Sequence, residues 1–118
     1  MLHHVTIEVT EAGGERFAEL LDAIGFAEVA PPAALSDGYR WFERADTQVH
    51  LALVAQPVVP PTGHAAFVAA PLDPVVERLA ELGFEADERR RHWGARRVTI
   101  AAPDGHRVEL MEAPPDAG

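Results

Sequence analysis

The chain contains no cysteine, no lysine and a single serine, and each absence removes a class of chemistry. Without cysteine there are no disulfides, no thiolate nucleophile and no sulfur ligand for a metal. All ten basic residues are arginine, which excludes a Schiff-base mechanism. Ser36 lies in a Pro- and Ala-rich stretch with no nucleophile-elbow context. No G-x-G-x-x-G or P-loop pattern occurs, so a nucleotide cofactor has no visible cradle. No apolar run approaches the roughly 18 residues of a spanning helix, so no membrane association is expected. The start, Met1-Leu2-His3-His4, lacks the basic and apolar regions of a signal peptide, and a cytoplasmic location is expected. The net charge of −9 argues against nucleic acid as a general partner. Histidine, carboxylates and a metal ion are nearly the only catalytic tools left.

What the chain does contain is one pattern written twice. His4 opens the apolar run His4-Val5-Thr6-Ile7-Glu8-Val9, and His64 opens His64-Ala65-Ala66-Phe67-Val68-Ala69. Each run leads to a helical segment ending on Gly-Phe, at Gly25-Phe26 and Gly83-Phe84. Each half then closes on a strand with one metal-capable residue among apolar neighbours, His50 and Glu109. The offsets are 60 residues from His4 to His64, 58 from Gly25 to Gly83 and 59 from His50 to Glu109. Spacing this steady marks a duplicated unit with indels confined to loops. Apolar spacing at Phe17, Leu20, Leu21 and Ile24 predicts a helix over 13–24, and Val75, Val76, Leu79 and Leu82 predict one over 72–82. Alternation and turn residues predict strands near 3–9, 26–30, 38–44 and 47–54, then 64–69, 84–88, 95–101 and 106–112. The expected fold is α+β, with two βαβββ repeats forming a curved eight-stranded mixed sheet around a cavity. Residues 1–118 are expected to form one domain. Repeats 1–56 and 61–113 are joined by the Pro-rich stretch 57–63, and the tail from Pro114 to Gly118 is expected to fray.

Strand period two then decides which side chains share a face. His4, Thr6 and Glu8 oppose Val5, Ile7 and Val9, and His50 opposes Val49 and Leu51. His64 opposes Ala65 and Phe67, and Glu109 opposes Val108 and Leu110. In all four strands the apolar set is free to cover a helix while the potential ligand faces a cavity. Three neutral nitrogens and one anionic oxygen, from His4, His50, His64 and Glu109, suit Zn, Fe, Mn, Ni or Co rather than copper(I) or calcium. Such an ion keeps open positions for water or for a substrate with two neighbouring oxygens.

Glu8, on the ligand face of the first strand, is a candidate general base. Trp41 shares a strand face with Tyr39 and suits either the core or stacking on a planar substrate. Arg97, Arg107 and Thr99 are candidate polar contacts. The run from Arg89 to Arg97 holds five arginines in nine residues and reads either as a solvated hairpin tip or as a clamp for an anionic substrate. His3 has the phase opposite to His4, and His106, just past an Asp-Gly turn, is expected to be solvated.

The chain resembles the vicinal oxygen chelate superfamily of glyoxalase I, extradiol dioxygenases, methylmalonyl-CoA epimerase, and fosfomycin- and bleomycin-resistance proteins. The resemblance spans about residues 2–113. It rests on His4 to Val9, on Leu21-Asp22-Ala23-Ile24-Gly25-Phe26, on Gly63 to Phe67, and on Ala102-Pro103-Asp104-Gly105-His106-Arg107-Val108-Glu109-Leu110. It implies first-, fifth- and last-strand metal ligands at His4, His64 and Glu109. The fourth-strand position, Glu in glyoxalase I and Gln in the epimerase, falls on His50, which puts methylglyoxal chemistry in doubt and leaves His50 as ligand or acid/base. The potassium-loop and phosphonate-binding pattern of the fosfomycin enzymes is not found. The resemblance further implies a homodimer and a metal-dependent lyase, isomerase or dioxygenase acting on a small-molecule substrate, in which His50 and Glu109, and the candidate base Glu8 of the first strand, are the groups expected to move protons. The alternative is a non-catalytic small-molecule binding protein of the antibiotic-resistance kind.

Overall fold

A computed structural model of the chain describes residues 1–115; the last three residues of the expected frayed tail lie outside it. The backbone divides into two compact units, Met1–Val59 and Pro60–Gly118. The first runs β1 (His4–Val9), α1 (Glu11–Ala23), β2 (Ala27–Val29), β3 (Tyr39–Arg44) and β4 (Thr47–Leu53). The second runs β5 (Ala65–Val68), α2 (Leu72–Glu81), β6 (Ala86–Glu88), β7 (Arg97–Ala101) and β8 (Arg107–Met111). Each unit is βαβββ, as the periodicity predicts. Hydrogen bonding divides the eight strands into two four-stranded sheets, ordered β1-β4-β3-β2 and β5-β8-β7-β6.

The two helices stop by the same device. After α1, Phe26 N–H bonds Leu21 O at 2.9 Å and Gly25 N–H bonds Asp22 O at 3.0 Å. After α2, Phe84 N–H bonds Leu79 O at 2.9 Å and Gly83 N–H bonds Ala80 O at 3.0 Å. Both are Schellman ends, in which a residue of positive φ turns the chain back over the last carbonyls. Gly25 (φ 95) and Gly83 (φ 88) occupy that position because a side chain there meets its own carbonyl. The following Phe26 and Phe84 are buried, as are Leu21 and Leu79, whose carbonyls their N–H groups bond. At its start, α1 is capped by Thr10, whose hydroxyl accepts from Gly13 N–H at 2.9 Å.

The repeat extends to strand register. β1 pairs parallel with β4, Thr6 opposite His50, and β5 pairs parallel with β8, Ala66 opposite Glu109. On the other flank Trp41 stands opposite His50 and Thr99 opposite Glu109. Apolar faces are covered as expected: Phe17, Leu20, Val9, Val49 and Leu51 are fully buried in the first unit, and Leu72, Ile100, Val108 and Leu110 in the second. His106 departs from expectation, because it is buried rather than solvated (8% exposed). The reason is the turn before it: positive φ at Asp104 (60°) and Gly105 (87°) reverses the chain. Ala102 N–H then bonds His106 O at 2.8 Å, which draws residue 106 against the strand rather than into the loop.

Candidate functional site

Register brings the metal-capable residues together in pairs, one pair per unit. In the second, His64 sits just before β5, and its Nδ1 lies 2.9 Å from Thr62 O. A carbonyl only accepts, so Nδ1 carries the proton, and in the neutral ring Nε2 carries the lone pair. That Nε2 lies 3.7 Å from Oε1 of Glu109, a buried residue on β8. Two acceptors facing each other at this range call for a cation or proton between them. Neighbouring ligands about 2.1 Å from one ion stand roughly 3.0–3.4 Å apart at octahedral or tetrahedral angles, so the pair is close to a chelating separation. A backbone carbonyl behind the ligating imidazole is also the usual supporting arrangement. His64 and Glu109 therefore fit a divalent ion of the Zn, Fe, Mn, Ni or Co group.

Around them lies a cavity of about 140 Å³, lined by His64, Arg89, Arg97, Thr99, Arg107 and Glu109. That is room for several waters or one small anionic head group. Three guanidiniums against one carboxylate make it locally positive in a chain of net charge −9. Each arginine is braced. Arg89 Nε donates to Thr99 Oγ1 at 3.0 Å, and Arg107 Nη2 donates to Pro61 O and Thr62 O at 3.2 and 3.3 Å. Arg97 Nε donates to Arg90 O at 2.9 Å, its Nη1 donates to Glu109 Oε1 at 2.7 Å, and its guanidinium lies 5.8 Å from the Trp93 ring centre. The basic run is thus divided by side-chain direction. Arg89 and Arg97 line the cavity, whereas Arg96 turns away to bind Asp73 and Glu88. Trp93 donates its indole N–H to Ala113 O at 3.0 Å, tying the loop down.

In the first unit, His4 and His50 stack with ring centres 4.1 Å apart, and His50 stacks on Trp41 at 3.9 Å, nearly parallel. His3 meets His4 edge-on, with Nδ1 atoms 3.0 Å apart. His50 is buried, and its Nε2 lies 2.7 Å from Gln48 Oε1. Burial, then repulsion from the His4 and His3 imidazoles, holds His50 below the ordinary imidazole range. Trp41 Nε1 is buried with no hydrogen-bond partner among the described residues. Glu8, the candidate base, accepts from Val58 N–H at 2.9 Å and so tethers the inter-repeat stretch. Among the described residues no group of three or more His, Asp or Glu is placed to hold an ion; each unit offers a pair. A larger cleft of about 390 Å³, lined by Thr10, Glu11, Asp37, Leu53, Val54 and Ala55, contains no imidazole.

Gln48 and the Thr62 carbonyl escaped the sequence reading. For Gln48 a signal existed, since it lies two residues before His50 and shares its strand face. The Thr62 carbonyl is backbone, and nothing in a residue's identity announces its use.

Two βαβββ units of one strand order, with an imidazole–carboxylate pair beside an arginine-lined cavity, define a paired-module protein with a candidate metal centre. The chain belongs to the Glyoxalase/Bleomycin resistance protein/Dioxygenase superfamily, whose family model matches residues 7–110, a span that includes His50, His64 and Glu109. No curated protein sequence matches it. Among solved structures, a glyoxalase family protein from Bacillus anthracis is 23% identical with a TM-score of 0.81, covering 94% of this chain and 93% of its own. The fosfomycin resistance protein FosX from Mesorhizobium loti is 24% identical (TM-score 0.69), covering 97% and 92%. A mutant FosX from Listeria monocytogenes, complexed with Mn(II) and 1S,2S-dihydroxypropylphosphonic acid, is 23% identical (TM-score 0.75), covering 97% and 90%. These likenesses establish the fold. No described helix is long and apolar enough to cross a membrane.

Proposed function

We propose that this protein is a metal-dependent enzyme that takes a small anionic substrate through two neighbouring oxygens, with His64 and Glu109 at the centre of its ligand set. The observation that carries the reading is the Nε2–Oε1 pair at 3.7 Å, its imidazole proton committed to the Thr62 carbonyl on the far side. His4 and His50, at the repeat-equivalent positions of the first unit, are the proposed metal-capable pair of that unit. For His50, the bond to Gln48 and the stack between Trp41 and His4 favour moving a proton at Nδ1 over ligation.

A divalent ion, when bound, supplies Lewis-acid polarisation of a substrate oxygen. The chain's own residues do the rest. Arg89, Arg97 and Arg107 bind and orient the anionic group by forked donors. Glu109, buried on β8, supplies the anionic oxygen of the ligand set. His50, kept neutral by burial, accepts and returns a proton. A neutral imidazole of fixed tautomer supports lyase or isomerase chemistry ahead of dioxygenation. The FosX structure with Mn(II) and a dihydroxylated phosphonate offers a ligand of matching chemistry, neighbouring oxygens on an anionic molecule. A cytoplasmic homodimer is the proposed working form.

Metal analysis of protein purified without chelators tests this. The expected result is stoichiometric divalent metal in the wild type and its loss in His64→Ala and in Glu109→Gln. Full metal content in both variants refutes the assignment.

A further inference from the structure

Glu109 has two suitors for one oxygen. Its Oε1 accepts from Arg97 Nη1 at 2.7 Å, and the same Oε1, not Oε2, faces the His64 Nε2 lone pair at 3.7 Å. Both partners of the ion pair are well buried, with side chains 14% and 11% exposed, so the guanidinium neutralises the carboxylate where water does so poorly. A divalent cation held between Oε1 and Nε2 would sit within about 5 Å of that guanidinium, close enough for repulsion of several kcal/mol at an effective dielectric near 20. The two cations therefore compete for the carboxylate.

The place to which Arg97 would retreat is already built. Its Nε is anchored to Arg90 O in the loop between β6 and β7, and it lines the cavity with Arg89, Arg107 and Thr99. Released from Glu109, the guanidinium becomes a third fork for an anion beside Arg89 and Arg107.

We infer that Arg97 is a placeholder cation: it neutralises Glu109 before metal binds, and metal binding transfers it to the anionic group of the substrate, so that metal and anion bind cooperatively. The inference rests on the metal reading above. Coupling between two ligands is reciprocal, so metal should tighten the anion by the same factor by which the anion tightens metal. The rival role, a positioning residue that orients Glu109 as a ligand, has the opposite sign, because losing such support weakens metal binding.

Titration calorimetry with Mn²⁺ and methylphosphonate separates them. In the absence of anion, Arg97→Gln should bind Mn²⁺ about tenfold more tightly than wild type, the size expected when a charged hydrogen-bonded competitor is removed. Arg97→Lys, which keeps a charge there, should stay within about threefold of wild type, as should Arg89→Gln, which removes a nearby charge bound to Thr99 rather than to Glu109. In wild type each ligand should raise the affinity of the other about fivefold or more, and Arg97→Gln should shrink that factor. Weaker Mn²⁺ binding in Arg97→Gln, or equal tightening in Arg89→Gln, overturns the placeholder while leaving the metal reading intact. Absence of Mn²⁺ binding in wild type, or binding unaffected by His64→Ala, overturns both. A second measurement needs no variant to fold: in nitrogen-labelled wild-type protein, the Arg97 Nη1 protons, bonded to Glu109, should exchange faster as Zn²⁺ is added while the Nε proton bonded to Arg90 O does not, and unchanged Nη1 exchange at saturation also overturns the inference.

Discussion

Gln48 fixes the tautomer of His50. The Gln48 amide nitrogen donates to Glu43 Oε1 at 3.1 Å, which leaves its carbonyl oxygen facing His50 Nε2 at 2.7 Å. That oxygen only accepts, so Nε2 carries the proton and Nδ1 is the basic atom of the neutral ring. Long-range nitrogen–proton correlation spectra should show the Nε2–H form for His50 in the wild type. In Gln48→Leu that preference should be lost, at a stability cost of about 1 kcal/mol for one removed hydrogen bond. An unchanged Nε2–H signal in the variant would mean another group holds the proton.

His50 should also make the fold acid-sensitive. Its folded pKa lies below the unfolded value of 6.5, for burial first and the neighbouring His4 and His3 second. Between the two values the unfolded chain binds more protons than the folded one, so unfolding free energy rises with pH there and falls as pH drops below about 6.5. Urea unfolding between pH 7.5 and about 5 should show that loss, and His50→Gln should flatten the profile. Parallel profiles for the two proteins would count against a depressed His50.

Trp41 carries a buried indole N–H without a hydrogen-bond partner among the described residues. An unmet buried donor costs on the order of 1–3 kcal/mol, so Trp41→Phe removes a liability along with some stacking area. The net change in stability should stay within about 1 kcal/mol, whereas Trp41→Ala should cost about 3 kcal/mol or more. A loss in Trp41→Phe as large as in Trp41→Ala would show that the N–H is satisfied.

The two Schellman glycines should respond alike. Gly25→Ala and Gly83→Ala place a Cβ on residues at φ 95 and 88. At Gly25 the nearest other atom to that Cβ is the Arg44 Cδ at 3.4 Å, the flexible part of a long side chain, so the backbone conformation sets the cost. Each variant should lose about 1–2 kcal/mol in denaturant unfolding. A stabilised variant at either position would contradict the repeat reading of the helix ends.

Much of the fold was legible because it is governed by local periodicity. Phe17, Leu20 and Leu21 announce a helix face wherever they occur, and Gly25 and Gly83 announce a stop because few other residues tolerate their φ. The alternation around His50 and Glu109 places both on the face opposite Val49 and Val108. The division of the strands into two four-stranded sheets was not legible, since continuity depends on which edges pair, and pairing has no local signature. His106 shows the same limit on a small scale: Asp-Gly marks the turn, but backbone pairing after it decides that the ring is buried.

The identity and spacing of the chemical groups, an imidazole opening each unit and a donor on each closing strand, were therefore set by the linear order of residues, because a strand has a period of two and the unit is duplicated. What each donor touches was decided only by the tertiary structure. Arg97 reaches Glu109 across twelve residues and Gln48 orients His50 instead of facing solvent. His64 turns its lone pair toward β8 because a carbonyl two residues earlier takes its proton. Hydrogen bonds are short and directional, so a shift of one residue in the register of β7 against β8 would separate Arg97 from Glu109 while leaving composition and periodicity unchanged.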